Sequence, residues 1–176
     1  MEGVVLETGR LVLRRLTLED ASFIVGLLNE PSFLRFIGDR GVRNEEQARA
    51  YLRDGPLASY AQYGFGLYLV VRRADLAPLG MCGLLRREAL DDPDVGFALK
   101  PAYWSQGYAY EAARAVLDYG RDTLGLRHIV AIVAPDNEAL RMSARKAQPA
   151  FRAHDSDGRG GPAPLRHSHL KRRGPL

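Results

Sequence analysis

Apolar and polar residues alternate along several segments of this 176-residue chain. Residues 10–14, Arg-Leu-Val-Leu-Arg, have the period of two that is typical of a half-buried strand. Four further apolar segments, bounded by turn residues, also predict strands: residues 66–71, 79–85, 94–99 and 127–133.

Three helices are predicted between these strands. The first begins with a capping box at Thr17 and ends at Pro31. The second begins at Asn44, a helix-capping residue, and fades by Gly55. The third follows a loop over residues 102–108 and has a buried side rich in alanine. The order β, α, α, β, β, β, α, β predicts the α+β (mixed α/β) class, with helices packed on one mixed sheet.

The composition excludes several kinds of protein. No run of about 18 apolar residues occurs, so we expect no membrane-spanning helix and no membrane partner. The first residues lack the basic and apolar regions of a secretory signal. Cys82 is the single cysteine, which excludes an intrachain disulfide and a cysteine-rich zinc site. We therefore expect a cytoplasmic protein without a metal, in which Cys82 is a small core residue.

The net charge of +4 hides a change of composition near residue 140. Residues 1–140 contain 16 Lys+Arg and 19 Asp+Glu, whereas residues 141–176 contain 9 and 2. The last segment is also rich in histidine and proline. One interpretation is a basic arm that binds nucleic acid or an acidic surface.

The connection between the strand at 94–99 and the third helix carries the candidate chemistry. The first turn of a helix has peptide N–H groups without intrahelical partners, and the helix dipole adds positive charge there. A pyrophosphate could therefore bind to the amides of Gln106, Gly107, Tyr108 and Ala109, with the glycine allowing close approach. The spacing alone leaves open a plain connection that happens to contain one glycine.

The residues of this connection resemble a known family. The window Trp104-Ser105-Gln106-Gly107-Tyr108-Ala109 is similar to the acetyl-coenzyme A loop of the GCN5-related N-acetyltransferases, Gln/Arg-x-x-Gly-x-Gly/Ala. Trp at the first place is typical of the branch that resembles ribosomal-protein N-terminal acetyltransferases. Other segments agree with that branch, and the resemblance covers residues 8 to about 138: Thr8 to Arg14, Leu79-Gly80, Glu111 to Ala113 and Pro135 to Asn137.

The resemblance implies a fold and a co-substrate. The sheet is expected to be twisted and mostly antiparallel, flanked by helices, with the fourth and fifth predicted strands splayed apart. The pantetheine arm of acetyl-CoA would lie in that gap, bonded to Phe97, Ala98 and Leu99 and contacted by the Asn137 side chain, which a plain turn role would also explain. Trp104 would form a wall of the pyrophosphate loop, although packing beneath the helix explains it equally well. The N-acetyltransferase domain would occupy residues 1–138.

The implied reaction is direct attack of a primary amine on the acetyl thioester. The acceptor would be a protein N-terminal α-amine or a small-molecule amine. Asp94 is the candidate base or water relay; the alternative is that it belongs to a solvated turn with Asp91 and Asp92. Glu111 lies in the first turns of a helix, where an acid is stabilising, and we expect a structural role for it.

Residues 139–176 form an atypical basic segment that completes or trails the same domain. Possible codons for residues 151–158, read one base later, give Phe-Glu-Arg-Met-Ile-Arg-Met, close to a strand of the family, which suggests a frameshift. The residue that protonates the leaving thiolate in the family has no match here.

These observations leave rivals to an active enzyme. One is a catalytically impaired coenzyme A-binding or scaffold protein with a damaged C-terminus. A nucleic-acid-binding protein is the other, but we do not expect nucleic acid as the partner. A homodimer remains an open alternative.

Overall fold

The computed structural model describes residues 2–133 and 152–155. Within them, one sheet contains seven strands whose spatial order follows the chain. β1 to β5 are antiparallel to their neighbours, whereas β5, β6 and β7 run parallel. The strands are β1 (Val4–Glu7), β2 (Leu11–Arg15), β3 (Leu67–Arg72), β4 (Pro78–Leu85), β5 (Asp94–Leu99), β6 (Val130–Val133) and β7 (Arg152–Asp155).

Helices cover both faces of this sheet. They are α1 (Ala21–Leu28), α2 (Pro31–Phe36), α3 (Glu45–Leu52), α4 (Ala58–Tyr63) and α5 (Tyr108–Asp122). Short 3₁₀ turns at Leu18–Asp20 and Pro101–Tyr103 and a π-helical turn at Arg53–Leu57 link them to the strands or to each other. None of these helices is long and apolar enough to cross a membrane.

The alternation of side chains along the strands divides the core in two. Leu11, Leu13, Tyr68 and Val70 face α5, and their neighbours in β2 and β3 face α1 and α3. A fully buried leucine of this kind contributes about 1.5–3 kcal/mol. The buried residues of β2, β3 and β4 on both faces hold the middle of the sheet firmly in place.

The fold class and most elements are confirmed. The strand at 94–99 has the predicted bounds, and the capping box at Thr17 is present. Cys82 is fully buried in the core, and burial raises the pKa of its thiol to about 12.

Three details of the sequence prediction were wrong. Pro31 begins α2 instead of ending a longer helix, because proline is favoured at the first helical position. The second predicted helix ends before Gly55, at Leu52, but the π-helical turn and α4 that follow it were missed. β1 was missed because it is a short edge strand, only partly buried and with a bulge, which leaves no clear apolar alternation.

The C-terminal predictions fall largely outside the described residues. Residues 134–151 and 156–176, which include Asn137 and most of the basic segment, belong to this part. β7 lies within that segment and pairs with β6, although no periodic pattern predicted a strand there. The four residues Arg-Ala-His-Asp include one apolar residue, so they show no alternation that predicts a strand.

Candidate active site

The chain leaves the carboxyl end of β5 through a tight loop and enters α5. A 3₁₀ turn at Pro101–Tyr103 is followed by Ser105 and Gly107, both in the left-handed region with φ of 59° and 78°. Glycine adopts this conformation without the steric cost that other residues have. The 3₁₀ turn and the two left-handed residues leave residues 104–107 exposed, directly before the first turn of α5.

The peptide N–H groups of this loop have no acceptors in the part of the chain that the structure describes. From Ser105 to Tyr110 no backbone nitrogen donates a hydrogen bond, and the first intrahelical bond joins the N–H of Glu111 to the carbonyl of Gly107 at 3.0 Å. α5 has 15 residues, so its dipole adds about half a positive charge at this end. The loop therefore has the donors and the potential of an anion site.

The loop is attached to the turn between β1 and β2 through Glu111. The carboxylate accepts hydrogen bonds from the Thr8 hydroxyl at 2.6 Å and from the N–H and Nε of Arg10 at 3.0 and 2.7 Å. Burial alone would raise the pKa of Glu111, but these hydrogen bonds and the Arg10 charge outweigh it and lower the pKa. Glu111 therefore has the structural partners that the sequence analysis expected.

A gap opens beside the carboxyl half of β5. β5 and β6 pair only at Asp94–Val130 and Val95–Ala131. Both strands continue beyond these pairs, β5 to Leu99 and β6 to Val133, but in the described residues they no longer pair with each other. The family resemblance implied that the strands at 94–99 and 127–133 splay apart. This splay is present between β5 and β6.

The peptide groups of β5 that face this gap can be identified from two hydrogen bonds. The N–H of Lys100 donates to a carbonyl of β4 at 2.9 Å, so the N–H and C=O of Leu99 and Phe97 face the opposite edge. The bond from Val130 to the carbonyl of Pro93 gives the same alternation. The peptide groups of Ala98 therefore face β4, and those of Phe97 and Leu99 face the gap.

Two side chains brace the loop internally. The indole N–H of Trp104 donates to the carbonyl of Leu99 at 2.8 Å, and the ring remains 45% exposed. The amide of Gln106 donates to the carbonyl of Ala102 at 3.0 Å. Of the other loop residues, Tyr108 is buried and Ala109 packs partly against the core under α5.

Asp94 lies at the other end of β5, where the strand is paired on both sides. Its residue is 1% exposed, and Arg87 donates from Nε to one carboxylate oxygen at 2.8 Å. Burial raises the pKa of Asp94, and the Arg87 hydrogen bond and charge offset part of that effect. The alternative of a solvated turn is wrong for Asp94, because the residue is buried and its carboxylate is paired with Arg87. Its side chain projects from the face of the sheet opposite α5, since Val95, Phe97 and Leu99 face α5.

A cavity of about 350 Å³ lies near this amino end of β5. Its lining mixes aromatic and charged residues but contains neither Asp94 nor any residue of the α5 loop: Tyr63, Phe65, Arg86, Asp91, Asp92, Pro93, Leu126, Arg127 and His128. The predicted cofactor residues therefore lie outside this cavity.

The structure adds residues that the sequence analysis did not single out for function. Thr8 and Arg10 belong to a segment that was noted only for its resemblance, and their contacts with Glu111 join it to α5. Arg87 gave no signal in the sequence, because an arginine seven residues from an aspartate predicts no contact. Only the β4–β5 pairing brings Arg87 to Asp94.

Comparisons with known proteins agree with this geometry. Residues 10–148 match the family described as the acetyltransferase (GNAT) domain. The chain is 30% identical over 139 residues to YoaA of Bacillus subtilis (strain 168), described as an uncharacterized N-acetyltransferase, covering 77% of this chain and 76% of that protein.

Solved structures share the fold. An acetyltransferase from Agrobacterium tumefaciens str. C58 superposes with a TM-score of 0.68 at 22% identity, covering 85% of this chain and 88% of the other. RimL, a ribosomal α-N-protein acetyltransferase in complex with coenzyme A, superposes with a TM-score of 0.71 at 17% identity, covering 82% of each chain. The chain belongs to the GNAT family of acetyltransferases, which are acyltransferases that move an acetyl group from acetyl-CoA to an amine.

Proposed function

We propose that this chain binds acetyl-CoA with its pyrophosphate on the amides of Gln106, Gly107, Tyr108 and Ala109. The observation that carries the proposal is the run of peptide N–H groups from Ser105 to Tyr110 that have no partner within the described part of the chain, next to the open edge of β5. Such a run costs free energy unless water or a ligand accepts the hydrogen bonds, and a pyrophosphate supplies several acceptors at once.

The pantetheine arm would lie in the gap between β5 and β6. The peptide groups of Phe97 and the N–H of Leu99 face that gap and can bond its amides, while Ala98 contributes contact only. Trp104 holds the carbonyl of Leu99 and presents an exposed ring beside the loop. We also propose that Asn137 contacts the pantetheine arm, because the sequence resemblance implies this role.

We further propose that the acceptor is an α-amine of a protein N-terminus, as the name of RimL indicates for that enzyme. The neutral amine attacks the thioester carbonyl, the C–S bond breaks, the amine loses one proton and the coenzyme A thiolate gains one. An α-amine has a pKa of about 7.7–8.0, against about 10.4 for lysine, so a weak base suffices. Asp94, a carboxylate with a raised pKa, is the proposed base, acting directly or through a water.

Positioning of the two reactants supplies much of the rate in this scheme, and peptide groups that polarise the carbonyl supply a further part. Neither contribution depends on a particular side chain. A chain that lacks the thiolate-protonating residue would therefore keep coenzyme A binding and part of its rate.

The test combines calorimetric titration with coenzyme A and a thiol-release assay with acetyl-CoA. The acceptors are a peptide with a free α-amine, the same peptide with a blocked N-terminus and an internal lysine, and a small diamine. Turnover with the free α-amine alone supports the proposal in full. Turnover with the diamine would show that the acceptor is a small-molecule amine instead. Binding without turnover supports the impaired scaffold, and absence of binding contradicts the proposal.

We also propose that residues 1–138 and 139–176 form one catalytic domain. The support is β7, which lies in the second segment and pairs with β6 along four residues. Deletion of residues 139–176 should therefore lower the thermal midpoint as well as coenzyme A affinity. An unchanged midpoint would show that the segment only trails the domain.

A further inference from the structure

We propose that Arg10 is a positioning residue for acetyl-CoA binding, which it promotes by orienting the peptide between Gln106 and Gly107. This inference rests on the proposed function, because it concerns the same anion site. Arg10 lies about one hundred positions away from the loop in sequence and reaches it from the start of β2.

The guanidinium of Arg10 contacts the loop and the helix together. Nη1 donates to the carbonyl of Gln106 at 3.0 Å, while Nε and Nη2 lie 2.7 and 2.6 Å from Oε2 of Glu111. The same guanidinium lies over the ring of Tyr108, 4.5 Å from its centroid. The planar guanidinium donates in two directions, to the carbonyl of Gln106 and to the carboxylate of Glu111. The single ammonium of a lysine cannot reproduce this arrangement.

The hydrogen bond to Gln106 determines where the next amide points. In a trans peptide the C=O and the following N–H point in opposite directions, and no cis peptide occurs in the described chain. Since the carbonyl of Gln106 points at Arg10, the N–H of Gly107 points away from it. That N–H thereby joins the amides of Tyr108 and Ala109 as a donor without an acceptor among the described residues.

Gly107 is tied to the same contact. A Cβ at this position would lie 3.4 Å from Nη2 of Arg10, and the φ of 78° is strained for other residues. The glycine therefore keeps the side of the loop that faces Arg10 free of a side chain. This leaves the opposite side of the peptide for the ligand.

The experiment measures coenzyme A binding by calorimetry in the full chain for Arg10→Gln, Arg10→Lys and Arg73→Gln. Arg73 is a matched control, because it is also 49% exposed and holds the same turn through the carbonyl of Thr8 at 2.8 Å. We expect both Arg10 variants to weaken coenzyme A binding by about tenfold and the control by less than about twofold. The KM for acetyl-CoA should rise by a similar factor while the KM for the acceptor stays unchanged.

A second ligand separates positioning from direct contact with the 3′-phosphate. Dephospho-coenzyme A retains the pyrophosphate but lacks the 3′-phosphate, so the penalty of Arg10→Gln should be the same for both ligands. A penalty that disappears with dephospho-coenzyme A would mean that Arg10 binds the 3′-phosphate directly, which overturns the inference.

Three further results would contradict it. Wild-type affinity in Arg10→Lys would show that only the positive charge matters. Equal weakening in Arg73→Gln would show a general loosening of the turn. Wild-type affinity in Arg10→Gln would leave the proposed function standing without this residue, whereas a wild-type chain that does not bind coenzyme A would remove the proposed function itself.

Discussion

The two ends of β5 use the same strand in opposite ways. At the carboxyl end no described strand pairs with one edge of β5, and Phe97 and Leu99 present peptide groups to an open gap. At the amino end β6 closes that edge, and Asp94 is a buried carboxylate held by Arg87. One end thus offers backbone groups, which almost any sequence has, and the other offers a single side chain of specific chemistry.

This difference predicts how each end responds to substitution. Backbone recognition depends on conformation, so changes that alter φ or the bracing contacts should affect cofactor affinity. Side-chain chemistry depends on identity, so an isosteric change of Asp94 should affect the rate and its pH dependence.

The largest effect is expected from Asp94→Asn, which should lower kcat by about a hundredfold at neutral pH. Burial raises the pKa of Asp94, so wild-type activity should fall as the pH decreases and the carboxylate becomes protonated. The variant lacks this titration, and its rate should instead rise toward the wild-type rate above about pH 8, where an α-amine is neutral without a base. The measurement is the pH profile of kcat with a free α-amine peptide.

Asp92→Asn is the matched control for that variant, because Asp92 lies two residues earlier and is partly exposed. Its pH profile should coincide with that of the wild type. Equal rates in Asp94→Asn and wild type at neutral pH would exclude Asp94 as the base.

Gly107→Ala should have the next largest effect, with coenzyme A affinity reduced by about tenfold or more. A left-handed conformation costs a non-glycine residue about 1–2 kcal/mol, and the new Cβ would lie 3.4 Å from the end of the Arg10 side chain. Gly64→Ala is the control, since Gly64 has a φ of 79° and open space around it. Both variants should lose similar stability in thermal unfolding, and only Gly107→Ala should lose affinity; equal affinities would show that the loop conformation does not matter for binding.

A smaller effect is expected from Glu111→Gln, which should lower the free energy of unfolding at pH 7 by about 1 kcal/mol. The pKa of Glu111 is lowered in the folded state, so its contribution is complete above the ordinary value of about 4.3. The contribution of Glu111 to stability is lost as the pH falls through the lowered pKa that this group has in the folded state. Urea unfolding of both proteins between pH 7 and pH 3 should show the difference shrinking, and a constant difference would contradict the assignment.

The smallest effect is expected from Trp104→Phe, which keeps a ring and removes the donor to the carbonyl of Leu99. Loss of one neutral hydrogen bond is worth about 1 kcal/mol or less, so the KM for acetyl-CoA should rise by only about twofold to threefold. Trp104→Leu removes the ring as well. Equal KM values for the two variants would show that the indole N–H makes the contribution of Trp104 to acetyl-CoA binding. A larger rise in the leucine variant would show that the ring surface also contributes.

Local patterns were sufficient for most of the central fold. The alternation at β2, the capping box at Thr17 and the apolar run at 94–99 each depend on neighbours within a few residues. The glycine at 107 before an alanine-rich helix also identified the candidate anion loop. Edge strands and short helices were harder to predict, because partial burial leaves a weak pattern, as β1 and α2 show.

The sequence by itself determined the fold class, the place of the loop and the family resemblance, because periodicity and motif spacing are properties of adjacent residues. Only the tertiary structure decided which peptide groups of β5 face the gap, that Asp94 is buried, and that Arg10 and Arg87 contact the site. The physical reason is that strand pairing joins residues that are distant in the chain, and a side chain's partners and desolvation depend on that pairing.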